Sequence, residues 1–207
     1  MEIVIADKSH IIYAEVICDA IADAATVRGT GIAKREPDYI RTKIENGNAV
    51  IALNQDRFAG FCYIETWGHG KFVANSGLIV HPNFRNMGLA KQIKQKIFEH
   101  SRAKFPKSKV FSITTGLAVM KMNSDLGYKP VTFSELTNDQ SFWNGCQTCK
   151  NYDVLQRTEQ KMCLCTGMLY DPEKQKIPSK EAQVYNKKTW KRLKNIKQSL
   201  FLKRDKK

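Results

Sequence analysis

The sequence predicts a mixed α/β (α+β) fold in which helices flank a central sheet. Strand-like runs of branched apolar residues alternate along the chain with stretches in which apolar residues recur at helical spacing. Around residues 71–102, one such strand leads through a short turn directly into one such helix. The chain has 207 residues, of which 42% are hydrophobic, and this is enough to bury a core.

The pattern also predicts the order of the elements. The first predicted helix spans residues 9–25, and its Ile12, Val16, Ile21 and Ala24 lie on one face. The predicted strands are 2–6, 49–53, 58–66, 71–80, 110–115, 129–133 and 163–170, and the other predicted helices are 38–45, about 89–102 and 117–126. The predicted order is therefore β-α-α-β-β-β-α-β-α-β-β, without an internal repeat.

The positive charge of the protein is concentrated at its C-terminal end. Of the net charge of +14, residues 173–207 contribute +10, with thirteen Lys or Arg against three acidic residues. We therefore predict a main domain over residues 1–172 and a basic extension over residues 173–207. An amphipathic helix is predicted in the extension from four apolar residues at helical spacing, Trp190, Leu193, Ile196 and Leu200.

This basic helix has two interpretations. Its segment 187–192, Lys-Lys-Thr-Trp-Lys-Arg, mixes cations with an aromatic ring, as nucleic-acid contacts do. Lys-rich amphipathic helices also commonly dock their apolar stripe on the same domain or on a second subunit. We favour docking, with a homodimer as one form of it, over binding to nucleic acid.

The sequence predicts a cytoplasmic protein without a membrane partner. No stretch approaches the roughly 18 uninterrupted apolar residues of a membrane-spanning helix, and the apolar run at the N-terminus is too short for a signal peptide. In the reducing cytoplasm, the six cysteines are expected to be thiols or metal ligands rather than disulfides.

The segment from Val80 to Ala90, Val-His-Pro-Asn-Phe-Arg-Asn-Met-Gly-Leu-Ala, connects a predicted strand to a predicted helix. The first N–H groups of a helix have no intrahelical acceptor and lie at the positive end of the helix dipole, so they bind phosphate-like anions. Gly88 and Ala90 are small where the backbone must approach such an anion, and Arg85 adds positive charge. The segment therefore predicts a pyrophosphate site.

Arg85-Asn-Met-Gly88-Leu-Ala90 resembles the Arg/Gln-x-x-Gly-x-Gly/Ala hallmark that follows a strand in the GNAT superfamily of N-acetyltransferases. The predicted element order is also that of the GNAT fold, so the resemblance covers residues 1 to about 170. It implies a mixed, mostly antiparallel central sheet flanked by helices, with acetyl-CoA as co-substrate. By this resemblance, the residues that contact coenzyme A are Ile79, Val80, Arg85, Asn86, Met87, Gly88, Leu89, Ala90 and Asn123.

The sequence departs from the family at the general acid. Many members have a tyrosine in the helix after the fifth strand, where it protonates the departing thiolate, but this position is Asn123 here. Tyr128 is an alternative acid if its hydroxyl turns toward the sulfur atom of coenzyme A; otherwise its role is packing. The resemblance therefore leaves the proton donor open.

The base is also open, because Ala74 stands where some members have a base carboxylate. The candidate that the sequence leaves is Glu65, acting directly or through a water molecule, with His69 and His81 close to it in sequence. The alternative interpretation of Glu65 is a solvated carboxylate at the end of a strand.

Two pairs of cysteines occur in and after a predicted insertion over residues 137–161. The pairs Cys146-Gln-Thr-Cys149 and Cys163-Leu-Cys165 offer four ligands to one tetrahedral zinc ion. On a strand, however, the second pair would share one face as small buried hydrophobes, and its Cys-x-Cys spacing is unlike that of zinc ribbons. We therefore favour metal-free thiols over a structural zinc.

By resemblance, the protein is an N-acetyltransferase in which a primary amine attacks acetyl-CoA directly. Members that resemble it in compact size include stand-alone amino-acid acetyltransferases, so the resemblance favours a small amino acid such as glutamate as acceptor. Arg28, Arg35 and Arg41 could then clamp its carboxylates. The insertion over residues 137–161 is expected to cover the acceptor side of the cleft. The alternatives are an acetyltransferase acting on a protein N-terminus or lysine, and a non-catalytic module that binds acyl-CoA.

Overall fold

The computed structural model of the protein describes residues 1–28 and 34–175. The chain divides into two units, Met1–Pro172 and Glu173–Lys207, and the fold is that of the first. The helices are α1 (Ala14–Arg28), α2 (Pro37–Glu45), α3 (Leu89–Lys104), α4 (Leu117–Asp125), α5 (Gln140–Asn144) and α6 (Tyr152–Arg157). The strands are β1 (Glu2–Ile5), β2 (Ala49–Asn54), β3 (Arg57–Trp67), β4 (Phe72–Val80), β5 (Lys109–Thr114), β6 (Lys129–Val131) and β7 (Thr166–Tyr170). Across these two ranges, no helix combines the length and the apolarity that crossing a membrane requires.

The strands form one seven-stranded sheet in the order β1-β2-β3-β4-β5-β7-β6. Every neighbouring pair is antiparallel except β4 and β5, which run parallel. This mixed, mostly antiparallel sheet with flanking helices confirms the predicted fold class. The predicted elements are present in the predicted order, and most of their bounds differ by one or two residues.

Two layers of helices cover the sheet. On one face, α1 and α2 bury Ile17 and Ile40 against Phe61 of β3. On the other face, α3 buries Ile93 and other apolar residues against Cys62, the next residue of β3. Successive side chains of a strand point to opposite faces, so β3 contributes to both layers. Each fully buried apolar side chain of this kind contributes about 1.5–3 kcal/mol.

The buried face of the first helical segment differs from the prediction. Ile12 is 76% exposed and Val16 is 37% exposed, whereas Ile17, Ile21 and Ala24 are buried. The segment begins as a 3₁₀ helix (Lys8–Tyr13), and α1 starts only at residue 14. Ile12 lies in the 3₁₀ segment, where the α-helical spacing does not apply. Val16 lies in α1 but five positions before Ile21, about 140° away around the helix axis.

The predicted strand over residues 163–170 also begins later than predicted, because β7 starts at Thr166. Cys163 and Cys165 therefore precede the strand, and the argument that a strand places them on one face was wrong. β6 and β7 pair with each other, as predicted for the strands on either side of the insertion. The insertion forms α5 and α6, which bury Trp143 and Leu155 in the cluster that contains Phe111 of β5.

The predicted helix with Trp190, Leu193, Ile196 and Leu200 lies outside the described residues. The predictions that depend on it, docking of its apolar stripe, a homodimer and the absence of nucleic-acid binding, therefore stay predictions.

Candidate active site

The turn between β4 and α3 has the strand, turn and helix form predicted from the sequence. A 3₁₀ turn (Pro82–Phe84) follows β4, and buried Phe84 anchors it to the domain. Asn86 and Gly88 then have φ angles of +62° and +74°. This left-handed conformation is open to glycine at no steric cost and is populated by asparagine more often than by most residues.

This turn leaves a row of backbone donors without acceptors. The N–H groups of residues 86–90 make no backbone hydrogen bond to any described residue, and Gly88, the N-cap of α3, has no side chain to accept from them. A Cβ atom added to Gly88 would meet nothing within 4 Å, so the space in front of it is open. Arg85 is exposed beside this row, and its Nε donates to the carbonyl of Val80 at 3.3 Å. Free helix N–H groups beside a cation form an anion site.

The strands β4 and β5 separate beyond their first three paired residues. β5 pairs with Phe72, Val73 and Ala74 of β4, and the described residues pair no strand with this edge of β4 from residue 75 onward. The opposite edge of β4 stays paired with β3 as far as Val80. The open edge leads from the anion site toward the middle of the sheet, and its backbone groups are available to an extended ligand that carries amides.

Beside the point of separation, Asn123 of α4 is fully buried. Its Nδ2 donates to the hydroxyl of Ser112 on β5 at 2.7 Å. Its Oδ1 is buried and has no hydrogen-bond partner. A buried carbonyl oxygen without a donor costs about 1–3 kcal/mol, so this atom is suited to accept an N–H group from a ligand.

Tyr128 packs in the apolar cluster that α3 forms on the sheet, and 1% of its surface is exposed. Its hydroxyl donates to Oδ1 of Asn75 at 3.0 Å, and the same oxygen accepts from Nζ of Lys94 at 3.3 Å. Burial raises the pKa of Tyr128 well above its usual value, so the phenol is neutral at neutral pH. These contacts support the packing role of Tyr128, and its role as acid stays a prediction.

Glu65 lies on the opposite face of the sheet, under α2. Its side chain is buried, and the hydroxyl of Tyr39 on α2 donates to its Oε1. Across the ladder, Glu65 is the partner of Ala74, the last residue of β4 that pairs with β5. The carboxylate therefore lies next to the point where the two strands separate, and the interpretation as a solvated strand end does not apply.

Two cations lie around the same aromatic rings. Nε of Arg35 donates to the hydroxyl of Tyr63 at 2.7 Å, and the guanidinium carbon is 5.3 Å from the ring centre of Tyr39. Nζ of Lys43 lies 4.7 Å from the ring centre of Tyr39, close enough for a cation–π contact. Burial lowers the pKa of Lys43, an effect that Glu65 opposes and Arg35 reinforces. We call Arg35, Tyr39, Lys43, Tyr63 and Glu65 the Glu65 cluster.

Of the three arginines predicted to form a carboxylate clamp, Arg35 belongs to this cluster. Arg41 lies on the surface, where it forms ion pairs with Asp38 and Glu15. The side chain of Arg28 is outside what the structure describes. Among the two histidines near Glu65 in sequence, His81 packs edge-on against Phe58, and His69 is exposed.

Sequence reasoning missed three residues of the Glu65 cluster, Tyr39, Lys43 and Tyr63. It also missed Lys94 on the other face of the sheet. Tyr39 and Lys43 are four residues apart on a helix that begins with Pro37, and this spacing places both side chains on one helix face. Lys94 falls in the apolar stripe of α3, between Ile93 and Ile97, where a charged residue is unusual. Both signals can be read from the sequence once the helix bounds are known.

The four cysteines of the insertion region are free thiols. Burial, with the neighbouring thiols adding to it, raises the pKa of Cys146 to about 11 and that of Cys165 to about 12. Within residues 1–28 and 34–175, no group of three or more His, Cys, Asp or Glu side chains is placed to hold a metal ion. Both thiols are thus protonated at neutral pH.

Comparisons with known proteins agree with this architecture. The model of the acetyltransferase (GNAT) family matches residues 17–120. The fold is similar to that of Rv2747 from Mycobacterium tuberculosis, which was solved in complex with CoA and a second molecule. The TM-score is 0.57 and the sequence identity is 12%, and the match covers 83% of this chain and 99% of that one. It is also similar to yncA from Salmonella typhimurium, solved with its cofactor acetyl-CoA, with a TM-score of 0.56 and 15% identity, over 87% of this chain and 98% of that one.

A third similar structure is N-acetylglutamate synthase from Neisseria gonorrhoeae, complexed with coenzyme A and N-acetyl-glutamate, with a TM-score of 0.56 and 14% identity. That match covers 81% of this chain but 34% of the synthase, so the chain spans about a third of that protein's length. At such identities the likeness to these structures concerns the fold alone. No curated protein sequence matches the chain.

Proposed function

Because the chain belongs to the acetyltransferase (GNAT) family, we propose that it transfers the acetyl group of acetyl-CoA to the amino group of a small acidic amino acid such as glutamate. The observation that carries this proposal is the Glu65 cluster, in which a buried carboxylate lies near two cations, beside the separation of β4 and β5. The reaction is a direct attack of the amine on the thioester.

The residues of the turn and of β4 fit coenzyme A. The free N–H groups of residues 86–90, together with Arg85, suit its pyrophosphate. The open edge of β4, including Ile79 and Val80, suits the amides of its pantetheine arm, and the unpartnered Oδ1 of Asn123 suits one of their N–H groups. Coenzyme A supplies the activated acetyl thioester, and the protein supplies binding, orientation and proton transfer.

The charges of the Glu65 cluster favour an acidic acceptor. Arg35 and Lys43 carry two positive charges against the single negative charge of Glu65, so the cluster has a net charge of +1. Glutamate at neutral pH has two carboxylates and one ammonium group, a net charge of −1. The two cations suit its carboxylates, and Glu65 suits its ammonium group.

Glu65 is the proposed general base. An ammonium group must lose a proton before its nitrogen can attack a carbonyl carbon, and a carboxylate within hydrogen-bond reach can accept that proton. Tyr39 holds the carboxylate in place through its hydroxyl.

The test is an assay of thiol release from acetyl-CoA with the twenty amino acids, with peptides that differ at their N-terminal residue, and with lysine peptides. We expect turnover with glutamate and the formation of N-acetylglutamate, identified by mass spectrometry. Acetylation of peptides without acetylation of any free amino acid would contradict the acceptor. Tight binding of acetyl-CoA without turnover of any amine would favour a non-catalytic binding module.

A further inference from the structure

Lys94 is a buried cation in the middle of the domain. It is 2% exposed, and its Nζ donates to Oδ1 of Asn75 and lies 5.1 Å from the ring centre of Tyr128. No ion pair joins it to any carboxylate of the described residues. Burying an ammonium group without a counterion is costly, so a buried lysine without an ion-pair partner in the middle of the domain indicates a functional role.

Lys94 lines a cavity, and the groups that contact its amine are neutral. The cavity, of about 350 Å³, lies between α3 and α4 and is lined by Lys94 together with Met122, Leu126 and others. Asp125, the acid in its lining, is 3.4 Å from Nζ of Lys91. From β3, the thiol of Cys62 faces the amine, and burial raises the pKa of this thiol to about 11, so it is neutral.

The position of Asn75 relates Lys94 to the thioester. Asn75 is the first residue of β4 beyond the part paired with β5. From the pyrophosphate to the sulfur, the pantetheine arm has about a dozen bonds and extends to roughly 15 Å. β4 carries a bulge here, since Val80 lies opposite Gly60 of β3 and Asn75 lies opposite Ile64. The four residue steps from Gly60 to Ile64 span about 13 Å at 3.3 to 3.4 Å each. An arm that starts at the turn and follows β4 therefore ends with its sulfur at the level of Asn75.

We propose that Lys94 is the catalytic residue that protonates the departing thiolate of coenzyme A, in place of the tyrosine whose position is occupied by Asn123. This role rests on the proposed function. When the tetrahedral adduct collapses, the carbon–sulfur bond breaks and sulfur keeps the electron pair. Sulfur then takes a proton from Nζ, which leaves a neutral amine. The attacking nitrogen loses two protons in all: Glu65 accepts the first before the attack, and the adduct releases the second to solvent, from which Lys94 regains its own.

The electrostatics of Lys94 suit an acid. Burial lowers its pKa to about 8. At neutral pH the amine is therefore still largely protonated, yet it gives up its proton more readily than an ordinary lysine, whose pKa is about 10.4. A catalytic acid is most effective when its pKa lies near the working pH.

The first experiment needs no variant. In the wild-type protein with saturating acetyl-CoA and glutamate, we expect kcat to fall about tenfold per pH unit above a pKa near 8, because the acid must be protonated. A wild-type kcat that stays constant from pH 7 to 10 would exclude Lys94 as the acid and would leave the proposed function standing. A wild-type protein that turns over no amine would remove both.

The second experiment replaces the amine by an unbranched apolar side chain of similar length. For Lys94→Met we expect kcat to fall by at least about 100-fold, the usual contribution of a general acid, with the KM for acetyl-CoA within about threefold and without the decline above pH 8. Lys121→Met, the same change on the exposed side of α4, is the control and should keep wild-type kinetics. Lys94 would not be the acid if Lys94→Met kept more than a third of the wild-type kcat, or if its kcat fell above pH 8 as that of the wild-type protein does.

Discussion

The hydroxyl of Tyr39 on α2 donates a hydrogen bond to the carboxylate of Glu65 on β3. The two residues are 26 positions apart in sequence, and the packing of α2 on the sheet brings them together. Burial raises the pKa of Tyr39, and the negative charge of Glu65 raises it further, so the phenol stays protonated and remains a donor. The bond holds the carboxylate in one orientation, which a general base requires.

The first prediction concerns this carboxylate. Glu65→Gln keeps the size of the side chain and a hydrogen-bonding oxygen for Tyr39, but it removes the group that accepts a proton. We expect kcat to fall by about 100-fold to 1,000-fold with little change in the KM for acetyl-CoA. Steady-state kinetics with glutamate measure both constants. Glu45→Gln, at the exposed end of α2, is the control, and equal kinetics of the two variants would exclude Glu65 as the base.

The second prediction concerns acceptor binding by Lys43. Lys43→Met removes one of the two cations of the Glu65 cluster while keeping a side chain that packs on Tyr39. We expect the KM for glutamate to rise by at least about tenfold, because one charged contact to a carboxylate is worth about 1.5–3 kcal/mol. The KM for acetyl-CoA should not change. Arg41→Met removes a cation of the same helix that pairs with surface acids, and it should leave both constants unchanged.

If Lys43→Met leaves the KM for glutamate unchanged but alters that for another amine, the cluster recognises an acceptor of different charge. The panel of amino acids used for the wild-type protein then identifies that acceptor.

The third prediction concerns the anion site at the start of α3. Gly88→Val is expected to abolish the binding of coenzyme A, because its side chain fills the open space that a phosphate group would occupy. Gly88 has a φ of +74°, so the variant is also strained. Gly47→Val is the matched control, since Gly47 has a φ of +59° and equally open surroundings at the end of α2. Calorimetric titration should find lost binding in the first variant alone; equal affinities would contradict the position of the pyrophosphate.

The fourth prediction concerns stability. At pH 7, Lys94→Met should raise the free energy of unfolding by about 1–3 kcal/mol, because it removes a buried charge without an ion-pair partner. Lys94 loses its proton near pH 8 when folded, but only near pH 10.4 when unfolded. Between these pH values the unfolded state binds more protons than the folded state, so the free energy of unfolding of the wild-type protein rises with pH. The difference in free energy of unfolding between Lys94→Met and the wild-type protein therefore becomes smaller.

Urea denaturation of the wild-type protein and of Lys94→Met at pH 7 and pH 10 measures this effect. A variant that is less stable at both pH values would show that the amine stabilises the fold. A variant that is less active but more stable than the wild-type protein is expected when the replaced group serves catalysis and destabilises the fold.

The fifth prediction concerns the four cysteines of the insertion region. Metal analysis of the purified protein should find less than one zinc per chain, because burial raises the pKa of Cys146 and Cys165 and zinc binding would have to remove the protons of both thiols. Titration with a thiol reagent under native conditions should also be slow for Cys146 and Cys165. One full equivalent of zinc, lost on treatment with a chelator, would overturn this prediction.

The order of elements and the strand-turn-helix form of the segment from Val80 to Ala90 were open to prediction because their signals are local. Apolar residues at intervals of two or of three to four report which face of an element is buried. The turn from Val80 to Ala90 needs only a strand before it, a helix after it and small residues between them. The local signal failed at Ile12, which lies in a 3₁₀ turn, and at Val16, which lies five positions before Ile21 and so away from the buried face of α1.

By itself, then, the sequence determined the fold class, the order of the strands along the chain and the turn that suits the pyrophosphate. Only the tertiary structure decided which groups surround the point where β4 and β5 separate. Arg35, Tyr39 and Lys43 meet Glu65 on one face, and Lys94 meets Asn75 on the other, across separations of 19 to 30 positions in sequence. The pairing of such distant residues depends on the packing of α2 and α3 on opposite faces of the sheet, and no short stretch of sequence encodes that packing.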